Sequence, residues 1–312
     1  MAIQLGIIVP CYNEEEVLPE TNKRLSDILT HLNNLELITN DSGIYYVDDG
    51  SKDRTWEIVE ALAILDSRVH GIKLSRNCGH QNALLAGIFS AEGDALITID
   101  ADLQDDIIVI EQMVRQFTEG FEIVYGVRKT RFTDTFLKKS TAIIYYKFLA
   151  KMGVEIIYNH ADFRLLGQRS VDYLRQFSEV NLFLRGIIPL LGFASTTVYY
   201  DRVKRWAGTS KYPLRRMLAL AVDGITSFST VPLRLIAIIG LLVFFISIIM
   251  TIWVIYVRLF TYSAIPGWAS SVIPIYFIGG IQLLSIGVVG EYVAKIYLEV
   301  KHRPRYCIEK KV

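Results

Sequence analysis

The sequence predicts an α/β domain with a mainly parallel sheet, followed by two transmembrane helices. Two observations carry this. In the first part of the chain, short β-rich apolar runs alternate with longer amphipathic stretches, the pattern of a parallel sheet covered by helices on both faces. Nearer the C-terminus, residues 235–257 form a run of 23 without a charge. As a helix this run would be roughly 35 Å long, against a bilayer core of about 30 Å.

Taken in order, strands are predicted at 3–9, 44–47, 69–74, 95–99 and 122–125, and helices at 15–32, 54–65, 81–91 and 107–118. Polar clusters fall at the strand ends, at 10–16, 48–53, 75–80 and 100–106. Ligands of such sheets bind at the C-terminal ends of the strands, so these clusters outline a site. A second uncharged stretch covers 259–290, and its later part, about 272–290, is long enough to span again, with Pro266 and Gly267 suited to the turn between. Arg202, Lys204, Arg205, Lys211, Arg215, Arg216 and Arg234 precede the first span, and Lys295, Lys301, Arg303, Arg305, Lys310 and Lys311 follow the second. The connecting loop offers Arg258. Positive-inside counting puts both termini in the cytoplasm. The expected division is a catalytic domain at 1–210, a juxtamembrane amphipathic segment at 211–232, two spans within 233–292 and a cytoplasmic tail at 293–312.

A net charge of +1 provides no basic field for nucleic acid. Cys11, Cys78 and Cys307 are widely spaced and form no CxxC pair, so neither a disulfide framework nor a zinc site is expected. The opening apolar run is short, lacks a basic flank and leads into Pro10 and Asn13, unlike a signal peptide.

Asp100-Ala-Asp102 closes a predicted strand and continues as Leu103-Gln104-Asp105-Asp106. Alternate residues of an extended segment point the same way, so Asp100 and Asp102 can converge on one hard cation such as Mg²⁺ or Mn²⁺. An acidic cap on the next helix is the competing reading, and the matching clusters at the other strand ends weigh against it. Asp48-Asp49-Gly50-Ser51 also closes a strand: a carboxylate there can accept from a base N–H or a ribose hydroxyl, and Gly50 permits the turn. Ser51 and Asp53 equally suit helix caps. Asn13-Glu14, after Pro10 and Tyr12, adds donors and acceptors near the same crevice.

With IVPCYNEE, VDDGSKD, SRNCGHQNA and DADLQD in that order, the chain resembles family 2 glycosyltransferases. Within them it is most like the polyprenyl-phosphate sugar transferases, in particular the bactoprenol glucosyltransferases of O-antigen (lipopolysaccharide) modification. The resemblance covers essentially the whole chain, including ADFRLL at 161–166, RWAGTSKY at 205–212, Gly290-Glu291-Tyr292, Glu299-Val300-Lys301 and Arg303-Pro304. It implies a GT-A (Rossmann-like) fold, a divalent cation, and inverting transfer of glucose from UDP-glucose to undecaprenyl phosphate at the bacterial inner membrane. Carried over by residue, it implies nucleotide contacts from Pro10, Tyr12, Asn13, Glu14, Val47 and Asp49, and metal ligation by Asp100, Asp102 and Gln104. Arg205 would reach the diphosphate from a mobile loop. Arg128, Lys138, Lys139 and Ser140 would bind the acceptor phosphate, the last three on a segment from about 134 to 151 that reads equally as a membrane-surface helix or an ordinary covering helix. Asp162 is the base candidate, with an ion pair to Arg164 as its alternative. Arg202-Val203-Lys204-Arg205-Trp206 departs from the QxxRW motif of processive synthases, which favours a single transfer. GDP-mannose or a UDP-aminoarabinose derivative remain alternative donors. A non-catalytic scaffold or flippase is disfavoured by two uncharged spans and intact motifs. Gly279-Gly280 and the Gly287/Gly290 pair offer close helix contacts to a second copy.

Overall fold

The computed structural model describes residues 2–129, 160–179, 184–201, 231–260 and 268–312. The chain divides into two compact units: one carries the sheet together with Arg303–Val312, the other carries Leu214–His302.

The first unit is built on strands β1 (Leu5–Cys11), β2 (Gly43–Asp48), β3 (Val69–Leu74), β4 (Ala95–Thr98), β5 (Ile123–Arg128), β6 (His160–Gly167), β7 (Ser195–Tyr200) and β8 (Ile308–Lys311). They lie in the order β7-β5-β6-β4-β1-β2-β3-β8. Helices α1 (Leu18–Asn34), α2 (Thr55–Leu65), α3 (His80–Ser90), α4 (Val109–Thr118), α5 (Gln168–Leu174) and α6 (Leu184–Leu190) join them. β1 and β2 bury every residue, as strands covered on both faces must. In α1, the buried Leu18, Leu25, Ile28, Leu29 and Leu32 recur at helical spacing and form one core-facing stripe, and Val109, Ile110, Met113 and Val114 do the same in α4. α3 sits closer: Ala83 through Ile88 are all buried. A Cβ on Gly87 would lie 2.3 Å from Ile8 Cγ2 and 2.9 Å from Val47 Cγ2.

All five predicted strands are present, β3 with the predicted bounds and the other four with shifted ends. The sheet is mixed rather than mainly parallel. β4, β1, β2 and β3 run parallel, but β6 inserts antiparallel between β4 and β5, and β8 adds antiparallel to the β3 edge. β7 pairs parallel with β5. The last residues, expected as a tail, therefore return to the sheet: Gly71 and Val312 exchange backbone hydrogen bonds (2.9 and 3.0 Å), and Ser75 N donates to Cys307 O (3.0 Å).

The second unit contains α7 (Val231–Phe260) and α8 (Trp268–Val300). Both expected spans fall inside these helices. Among the described residues, one stretch is long and apolar enough to cross a membrane, Ile281–Val300, with mean hydropathy 1.3 and none of it buried. It lies toward the C-terminal side of the predicted 272–290, and α7 contributes the shorter apolar run Val231–Val243. One qualifying stretch does not establish the two spans read from the sequence.

Gly87→Ala tests the close approach of α3. Helix propensity favours Ala by about 1 kcal/mol, while overpacking costs about 1–3 kcal/mol. The collision with Ile8 is expected to win, lowering the thermal midpoint by a few degrees in a melting scan of the purified protein.

Candidate active site

The C-terminal ends of β1, β2, β3 and β4 meet at one edge of the sheet, and the four polar clusters follow them. After β1 the backbone turns at Asn13 (φ 54). Its N–H donates to Ser51 Oγ (3.0 Å), its Oδ1 accepts from Lys52 N (2.8 Å), and Glu14 N donates to Thr55 Oγ1 (2.9 Å). The β1 and β2 loops are thereby stitched together. Gly50 (φ +67) has no room for a side chain, since a Cβ would lie 2.6 Å from the Arg76 carbonyl carbon and from Asn77 N. Asp49 holds the third loop: Oδ1 accepts from Cys78 N (2.6 Å) and Oδ2 from Gly79 N (3.0 Å). Burial still pushes its carboxyl upward against these two bonds. Asp48 is fully buried, with Oδ1 accepting from Ser51 N (3.1 Å) and burial raising its carboxyl too.

Beyond β4 the chain enters Asp100-Ala-Asp102. Asp102 Oδ1 accepts from Gln104 N (3.1 Å), and the intervening Leu103 adopts φ 55, rare for a branched residue. His80, the first residue of α3, places Nε2 3.6 Å from Asp100 Oδ1 and 3.4 Å from Asp162 Oδ2. Asp162 lies on β6, two residues from Arg164 and so on the same face. Arg164 Nη2 bonds Asp162 Oδ1; Arg185, from α6, gives Nε to Oδ1 (3.2 Å) and Nη2 to Oδ2 (3.0 Å). Burial acts to raise the Asp162 carboxyl, but His80, Arg164 and Arg185 outweigh it and hold it well below the usual carboxylate range. Asp100 goes the other way, to about 6: burial leads, and Asp162, Asp105 and Asp102 add to it against His80.

A third cluster lies alongside. Asp105 Oδ1 accepts from Arg128 Nη2 (3.0 Å) and from the Tyr200 hydroxyl (2.5 Å), and Arg128 Nε donates to that hydroxyl oxygen (3.1 Å).

Comparison with known proteins identifies the family. The profile described as glycosyl transferase family 2 matches residues 6–174. The chain belongs to glycosyltransferase family 2. It is 50% identical over 307 residues to the uncharacterized glycosyltransferase YkoT of Bacillus subtilis (strain 168), covering 98% of this chain and 91% of that one. It is 40% identical over 309 residues to the SfII prophage-derived bactoprenol glucosyl transferase of Shigella flexneri, covering 99% and 98%. Mannosyl-3-phosphoglycerate synthase from Rubrobacter xylanophilus, at 14% identity, TM-score 0.51 and coverage of 85% and 78%, is similar in fold. The chain is thus a glycosyltransferase with the GT-A type of mixed sheet.

In this transferase Asp49, Asn13, Glu14, Asp100, Asp102 and Gln104 share one edge of the sheet. Pro10 and Val47, neighbours in the β1–β2 register, are buried. Tyr12 is 38% exposed. Lys138, Lys139, Ser140 and Arg205 lie outside the described residues. Sequence reasoning missed His80, Arg185, Asp105 and Tyr200 as members of these clusters; for His80 the signal was its place in SRNCGHQNA at the end of β3. Among the described residues no three His, Cys, Asp or Glu side chains form a metal cage. The donors present are two carboxylates and an amide, with like charges crowded enough to raise Asp100. That set fits a hard cation completed by a ligand's own phosphates.

Asp162→Asn should destabilise the fold by roughly 3–5 kcal/mol, because it leaves the buried Arg164 without its counter-charge. Thermal unfolding of the purified variant checks this, and an unchanged midpoint would contradict the role given to that pair.

Proposed function

We propose that the chain transfers glucose from UDP-glucose to undecaprenyl phosphate with inversion, at the inner face of the bacterial cytoplasmic membrane. The observation that carries this is the convergence of the Asp49 and Asp100–Asp102 clusters in a chain 40% identical, nearly end to end, to a bactoprenol glucosyl transferase. In this reading Tyr12, Asn13, Glu14 and Asp49, with the backbone of Pro10 and Val47, surround the nucleotide. Asp100, Asp102 and Gln104 would hold Mg²⁺ or Mn²⁺, which when bound offsets charge developing on the departing diphosphate. Arg205 would add a cation to the same diphosphate, and Lys138, Lys139 and Ser140 would bind the acceptor phosphate near Arg128.

The acceptor oxygen attacks the anomeric carbon as the bond to UDP breaks, one in-line displacement. Asp162 is poorly suited to act as a base, since its oxygens take bonds from Arg164 and Arg185 and face His80. None is required: a phosphate monoester, with a second pKa of about 6, is largely ionised at neutral pH. The work left to the chain is to bring two anionic substrates together in line.

The membrane arrangement draws support from β8. A chain that leaves the sheet after β7 and rejoins it as β8 can cross a bilayer only an even number of times between them. α7 and α8 provide two candidate crossings, and both expose large apolar side chains, such as Ile249 (65% exposed) and Leu283 (73%). Both termini then lie on the cytoplasmic side, as the flanking basic residues favour.

In a cysteine-free background, a Cys at Ser263 should react with an impermeant maleimide added to intact cells, while Cys at Lys52 or Lys310 should not. Labelling at Lys310 would refute the paired crossing. The glycolipid formed from UDP-glucose and undecaprenyl phosphate should show a β anomeric coupling by NMR. An α coupling would overturn inversion, and failure of UDP-glucose as donor would overturn the sugar assignment.

A further inference from the structure

We propose that His80 is a positioning residue that clamps the Asp100 carboxylate beside Asp162 and so sets the geometry of the metal-holding turn. The inference rests on Asp100 serving as a metal ligand, as read above. Its basis is the arrangement around one imidazole nitrogen. Nε2 of His80 lies 3.6 Å from Asp100 Oδ1 and 3.4 Å from Asp162 Oδ2, so one nitrogen faces both carboxylates. Two carboxylates that close repel each other, and Asp102 and Asp105 add like charge around Asp100.

The two partners are held very differently. Asp162 is anchored by Arg164 and Arg185. Among the described residues no hydrogen bond or ion pair other than that with His80 holds the Asp100 side chain, which is 34% exposed. The direction in which Asp100 points therefore depends on His80.

His80 is itself well placed to transmit position. The two residues before it, Cys78 and Gly79, donate their backbone N–H groups to Asp49 at 2.6 and 3.0 Å, and Gly79 turns the chain into α3 with φ +91. A continuous path thus runs from the Asp49 carboxylate, through two backbone amides and one imidazole, to Asp100. By this path the loop on the nucleotide side and the turn on the metal side are linked through Asp49 and His80, although they follow different strands. Partners that orient a metal ligand commonly govern metal affinity as strongly as a tenfold to hundredfold change.

The test is binding of Mn²⁺ to the full-length protein in detergent, with and without UDP, read from the electron paramagnetic resonance signal of free Mn²⁺. His80→Ala should raise the Kd for Mn²⁺ about tenfold or more with UDP present. His80→Gln, which retains an N–H at similar reach, should stay much closer to the unsubstituted protein, and added imidazole should restore part of the affinity lost by His80→Ala. Thermal melting of each variant accompanies the titration. An unchanged Kd in His80→Ala would overturn the clamp. So would an equal loss in the Ala and Gln variants that imidazole does not reverse, since that marks a merely structural role. The readout requires no sugar transfer, so the two readings fail separately. A protein that binds Mn²⁺ with UDP but moves no glucose defeats the proposed function, while the His80 series still decides the clamp. A protein that binds no Mn²⁺ defeats both.

Discussion

Arg164 sits inside the sheet at 1% exposure, and a guanidinium cannot shed its charge to escape such a place. The fold must therefore bring a carboxylate to it, because an uncompensated buried charge costs several kcal/mol. Strand geometry supplies one two residues away on the same face, Asp162. A carboxylate has more acceptor capacity than one arginine uses, and here Arg185 of α6 and His80 of α3 take up the remainder. One buried pair thus fixes the meeting of β6, α6 and α3. Through His80 it reaches Asp100, at the open end of β4. The charge that the core requires and the charge arrangement of the cleft are parts of one network.

The other side of the cleft follows the same logic with backbone donors. Asp49 spends both oxygens on the amides of Cys78 and Gly79, and Asn13 ties its own loop to the one after β2. Residues that the motifs mark for ligand contact are in this structure the residues that hold three loops together. A pocket assembled this way is shaped before a ligand arrives, which lowers the ordering cost of binding.

The parts legible in the sequence were those in which local pattern and tertiary role agree. Apolar runs, interrupted by His70 and Lys73 in β3, announced β1 to β5, and helical stripes announced α1 and α4. The polar clusters at strand ends located the cleft because a parallel sheet gathers those ends at one edge. β6 was not read as a strand, and the reason is Arg164 itself: an arginine and an aspartate within HADFRLLG break the expected apolar run, and only the sheet shows that they neutralise each other. β8 was hidden differently. Its residues, Ile308–Lys311, are exposed and half basic, which is ordinary for an edge strand but also for a tail. His80 was visible within its motif, but its two carboxylate partners come from strands whose neighbourhood no sequence spacing reveals. The same holds for Arg128: the resemblance marked it for an acceptor phosphate, yet its grip on Asp105 and Tyr200 depends on β5 and β7 being paired.

The network also bears on how chemistry divides between protein and substrate. A general base needs an unoccupied lone pair and a proton affinity near the working pH. Asp162 has neither, being surrounded by donors that favour its ionised form. Asp100, raised to about 6 by burial and by its acidic neighbours, is closer in proton affinity, but those same neighbours make its surroundings one that gains by receiving a cation. A site with an over-satisfied carboxylate on one side and an under-compensated cluster on the other suits a reaction in which the nucleophile arrives already charged. A lipid phosphate meets that requirement and a sugar hydroxyl does not. The same carboxylates would repel an anionic acceptor unless cations lay beside it, so the proposed transfer depends on the metal that Asp100 and Asp102 would hold.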